Sequence, residues 1–74
     1  MNKNRRYELG VSKRNIELAI DVANRVLQME YKSIDIFQNK DLQKVIVLEN
    51  GCKNIKEAIE KMEEAFDILS KVQE

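Results

Sequence analysis

Between Ile16 and Phe37 the apolar residues fall on two helical stripes rather than one, and this constrains the fold more than any other feature. At about 100° per residue, Ile16, Ile20, Ala23, Leu27, Tyr31 and Ile34 share a first stripe. Leu18, Ala19, Val22, Val26, Met29, Ile36 and Phe37 form a second beside it. The polar residues Glu17, Asp21, Asn24, Arg25, Gln28, Lys32 and Asp35 are left with an arc of only about 100°. A helix on the surface of a monomer needs one apolar stripe of about that width. One side of this helix can pack on the chain's own later helices, and the other needs a further partner. A second copy of the chain is the expected one, with Leu18, Val22, Val26, Met29, Ile36 and Phe37 at the interface.

Size points the same way. A chain of 74 residues buries a marginal core and usually needs disulfides, a metal or self-association. Cys52 is the only cysteine and there is no histidine, so neither a disulfide nor a zinc shell can form within the chain. A lone cysteine suits a reducing, cytoplasmic setting. The start has no apolar signal-peptide core, and no apolar run approaches the ~20 residues of a membrane span. No cofactor or membrane partner is expected.

The expected fold is all-α, a bundle completed by homo-oligomerisation. A basic arm over 1–11 precedes a three-helix domain over 12–74, with one long helix at about 12–38 and shorter ones at 41–49 and 55–73. Ser12 is a candidate N-cap for the first helix and Asp41 for the second. Val45 to Leu48 has strand-like composition but no second strand to pair with, so it reads as helix. Asn50-Gly51 reads as the end of the second helix. Asn54 with Glu57 reads as a variant capping box opening the third.

Several residues invite a chemical reading. Glu60, Glu63, Glu64 and Asp67 share one helical face, and clustered carboxylates can hold magnesium. "EKMEEAFD" superficially resembles the all-α NTP pyrophosphohydrolases, which need a second, inward-pointing acidic pair. Only Glu17 and Asp21 are candidates for it, and they lie on the polar arc. A solvent-facing acidic surface is the expectation, and magnesium-dependent hydrolysis a distant alternative. Cys52 has no histidine or second cysteine to activate it and reads as a small buried residue. Glu30 falls inside the wide apolar arc, where it either pairs across an oligomer interface or sits at the seam between stripes.

Charge separates the two ends. Residues 1–15 hold five basic groups against one acidic, net +4, and the remainder holds eight against twelve, net −4. Within "RRYELGVSKR", Arg5 and Arg6 can fork onto phosphate oxygens and Tyr7 can stack. Lys13 and Arg14 would occupy the first helical turn, against the dipole, where an anion normally binds. These five residues are the candidate site for a phosphate-bearing small ligand. The acidic body argues against duplex nucleic acid.

The double-striped helix and the basic, tyrosine-bearing "RRYELGVSKR" resemble, in architecture, a class of small phage proteins. These are all-helical homo-oligomers that sequester cyclic nucleotide signals of bacterial defence in pockets between subunits. The resemblance implies ligand capture without turnover. The expected function is therefore a non-enzymatic, homo-oligomeric binder of a nucleotide-type ligand. The alternative is a protein-interaction regulator that docks a different protein on the second stripe.

Overall fold

A computed structural model describes residues 3–72, and the expectations touching Met1, Asn2, Gln73 and Glu74 lie outside them. Two helices form an antiparallel hairpin, α1 over Lys3–Phe37 and α2 over Leu42–Ser70. The hairpin is a rod with principal extents of 59 × 15 × 11 Å. The all-helical class and the long first helix stand as expected, and Val45 to Leu48 is helical.

Two boundaries differ from the sequence reading. The second and third helices are one helix, passing through Gly51 and Asn54 without interruption. The arm is not separate from the first helix, which begins at Lys3 and runs through Gly10 and Ser12. Ser12 and Asn54 are thus interior residues rather than caps.

A repeat spaced alternately four and three residues explains both corrections. On α1 it comprises Leu9, Lys13, Ile16, Ile20, Ala23, Leu27, Glu30, Ile34 and Phe37, all buried or half-buried. On α2 it comprises Val45, Leu48, Cys52, Ile55, Ile59, Met62, Phe66 and Leu69, likewise. A period of 3.5 keeps each seam facing the other along its whole length, the geometry of a coiled-coil pair. The seam crosses Gly51 without changing phase. A break there would turn Ile55 to Leu69 off α1 and expose them. A helical glycine costs only about 1 kcal/mol relative to alanine, far less than that loss.

The reversal at residues 38–41 is tightly held. Lys40 and Asp41 donate backbone N–H bonds to the Phe37 carbonyl at 2.9 and 3.0 Å. Asp41 is extended and caps α2 as expected, its Oδ1 accepting from the Lys44 N–H at 3.1 Å. The Lys44 ammonium lies 4.1 Å from the centre of the Phe37 ring, a cation–π contact across the turn. Phe37 therefore belongs to the inner seam, not to the second stripe.

Candidate functional site

Two surfaces of this hairpin can do work, a lateral apolar face and a basic end. The lateral face follows from the seam. In an antiparallel pair, residues flanking the seam on one side of α1 meet those on the same side of α2. On one side α1 presents Ala19, Val22, Val26, Met29, Ser33 and Ile36, with Leu18 at the margin. Beside them α2 presents Val47, Gly51, Ala58, Ala65 and Ile68. The Glu30 carboxylate marks this side, 3.4 Å from where a Cβ on Gly51 would stand. Lys61 interrupts the α2 surface but reaches Glu64 at 3.7 Å.

The other side is mainly polar, with Leu42 and Ile46 exposed at the turn end of α2. Glu17, Asn24 and Tyr31 of α1 flank the seam there, with Glu49, Lys56 and Glu63 of α2. Tyr31 and Lys56 meet, the ammonium 5.5 Å from the ring centre. A hydrogen bond to Tyr31 is the main cause that holds the exposed Lys56 ammonium above its usual pKa. A concavity of about 480 Å³ opens beside them, floored by Cys52 and Ile34 and rimmed by Glu49, Lys53, Lys56, Glu57 and Glu60. Both signs of charge share its rim, carboxylates outnumbering ammonium groups.

The contrast between the sides is sharp on α1. Met29 is 65% exposed and Val26 is 40% exposed, and Leu18, Val22 and Ile36 are exposed as well. Among the described residues only Leu27, Val45 and Cys52 are buried apolar side chains. The second stripe thus lies open in the single chain, apart from Phe37. Exposed apolar surface that is continuous rather than scattered marks an interaction site.

The basic end depends on a difference in helix length. Phe37 lies level with Lys44, and Glu30 with Gly51. The same count down both helices brings Ser70, the last residue of α2, level with Val11. Residues 3–10 of α1 therefore project about 12 Å beyond the end of α2. On this projection Arg6, Tyr7, Gly10, Val11 and Arg14 line one shallow concavity of about 480 Å³. Tyr7, Gly10 and Arg14 share a helical face because they are three and four residues apart.

Three of the five expected ligand residues, Arg6, Tyr7 and Arg14, therefore come together. Lys13 belongs to the inner seam and is half-buried. Arg5 follows the other lateral direction. Lys13 and Arg14 do not stand in a first helical turn against the dipole, because both lie well inside a helix that starts at Lys3. Arg5 and Arg6 occupy the first turn instead.

Among the described residues no group of three or more histidine, cysteine or acidic side chains converges as a metal site. Glu17, Glu63 and Asp67 do share a groove with Ile20 and Phe66 on the polar side. Cys52 is 5% exposed and packs in the seam of α2, not in a turn. No described helix is long and apolar enough to cross a membrane. No family model, curated protein or solved structure matches the chain.

Proposed function

We propose that this chain is a non-enzymatic helical interaction protein whose working surface is the lateral apolar face of the hairpin. One observation carries this reading: α1 has an apolar flank and a polar flank to its seam, and α2 continues the apolar flank with Val47, Gly51, Ala58, Ala65 and Ile68. Two-sided polarity would suffice for a self-contained hairpin. The apolar flank is left for another helical surface, from the same protein or a different one.

Met29 reports on the face directly, being 65% exposed in the single chain. Hydroxyl-radical footprinting of the native protein, in lysate and after purification, is expected to show Met29 protected relative to the urea-unfolded chain. Reaction of Met29 at the unfolded rate in both settings would remove the basis for the reading.

A second reading retains capture of a phosphate-bearing ligand at the basic end, the behaviour that the likeness to small phage oligomers implies. It is favoured by the convergence of Arg6, Tyr7 and Arg14 on one concavity. Guanidinium groups bind phosphate oxygens in pairs, and a phenol ring offers a stacking surface. With ATP as the probe in calorimetry, Arg6→Glu with Arg14→Glu is expected to weaken binding by more than about tenfold, the loss of one charge-assisted bond or more. Equal affinity in the variant would dismiss this reading.

A further inference from the structure

We propose that the occupant of the apolar face is a second copy of this chain, related by a two-fold axis parallel to the helices. In this dimer α1 of each copy lies beside α2 of the other, antiparallel to it, and Arg25 faces the partner's Glu57. The proposal rests on the reading of that face as the docking surface and adds the partner and the arrangement.

Area comes first. The face runs the length of α2, 29 residues or about 43 Å, and is two helices wide. With helix axes 8–10 Å apart, it offers on the order of 800 Å². A stable specific dimer needs about 800 Å² from each partner. A single partner helix would cover only part of this face, whereas a second hairpin matches both its length and its width.

Shape then selects the arrangement. The α1 half of the face is bulky, with Val22, Val26 and Met29 at its centre. The α2 half is small along the row of Gly51, Ala58 and Ala65, with Val47, Lys61 and Ile68 standing beside that row. A closed two-fold pair of hairpins has two options. An axis across the helices sets α1 on α1 and α2 on α2, bulky on bulky and small on small. An axis along the helices sets Val22, Val26 and Met29 over the row of Gly51, Ala58 and Ala65, which fills space at normal helix separation. Levels are preserved by that axis, so Met29 falls within one residue of the height of the partner's Gly51, and Val26 between the partner's Asn54 and the partner's Ala58.

Charge selects the same option independently. Opposite the seam, where the margins of both flanks meet, α1 carries Arg25 and Lys32 and α2 carries Glu57 and Glu64, all exposed, with Glu57 also on the rim of the polar-side concavity and Glu64 paired with Lys61. Setting α1 on α1 would align cations with cations, and α2 on α2 carboxylates with carboxylates. Setting α1 on α2 brings Arg25 beside Glu57, while along the same rows Lys32 falls beside Asn50 and Glu64 beside Leu18. By the count that places Glu30 level with Gly51, Arg25 is level with Lys56, one residue or about 1.5 Å of rise from Glu57. Both side chains are long enough to meet across the ~10 Å between neighbouring helix axes. The two-fold repeats the pair, so each substitution acts twice.

Sedimentation equilibrium of the purified full chain tests this, with circular dichroism confirming that each variant stays helical. The wild type is expected to be a dimer. Arg25→Glu and Glu57→Arg are each expected to raise its dissociation constant about tenfold, through two lost pairs and two new repulsions. The double variant is expected to return close to the wild-type value. A chain that is monomeric at all concentrations overturns the proposal. If Met29 is nevertheless protected in lysate, the docking reading survives with a different partner. A dimer indifferent to both reversals, or weakened by each without rescue, overturns the arrangement.

Discussion

Leu27→Ala is expected to lower the unfolding free energy by about 2–4 kcal/mol, the usual range for removing a buried leucine side chain. Leu27 is 7% exposed and stands midway along the α1 seam. Chains of this size have a total stability of only about 4–10 kcal/mol, so one side chain accounts for a large share of it. Urea unfolding followed by circular dichroism, at one fixed protein concentration, measures the change. Gln28→Ala, one residue away and exposed, is the matched control and should move the midpoint little. A Leu27→Ala midpoint no lower than that control would mean that the inner seam does not hold the hairpin together.

Val26→Glu is expected to leave the hairpin folded and to abolish its association. Val26 is 40% exposed in the single chain, so a glutamate there can reach water and the helix tolerates it. Within an apolar interface the same carboxylate is desolvated without a partner, at a cost of several kcal/mol. Affinity should fall by more than about a hundredfold, equivalent to about 2.7 kcal/mol. Light scattering and Met29 footprinting read the loss separately. Unchanged association with unchanged Met29 protection would show that the face is not the one in use.

The sequence exposes some of this and hides the rest for definite reasons. The first stripe, from Ile16 to Ile34, faces α2, and the second, from Leu18 to Ile36, lies open. Large apolar residues repeated at helical spacing are hard to misread. Asp41 caps α2 because its side chain and the break before it agree. The division of α2 into two helices was the natural reading of Asn50-Gly51 and of Asn54 with Glu57. The contrary signal was phase: Val45, Leu48, Cys52 and Ile55 keep the four-and-three rhythm across the glycine. Local turn chemistry is worth about 1 kcal/mol, and the seam beyond it is worth several residues' burial.

The α2 half of the apolar face was harder to see. Gly51, Ala58 and Ala65 contribute little to any hydrophobic pattern, and their value is the room they leave. At the basic end, Leu9 already stood in register with Ile16 through Lys13, so the helix could have been extended backward through Gly10. Doing so removes Lys13 from the candidate site and leaves Arg6, Tyr7 and Arg14 on one surface.

The projection of α1 past α2 gives the two ends of the molecule different lifetimes. Residues from Leu9 to Phe37 carry the seam positions that pack on α2, whereas residues 3–8 extend past the last of them, where a helix end frays most readily. Their amides should open and exchange on the fastest scale in the chain, independently of global unfolding. A ligand that bridges Arg6 and Arg14 needs the projecting turns to be helical, and its apparent affinity is scaled by the fraction that is. Gly10, with nothing within 4 Å of its Cβ position, favours the open form by about 1 kcal/mol relative to alanine. The basic end is thus a helix–coil equilibrium tethered to a rigid rod, and whatever binds there is read out as order.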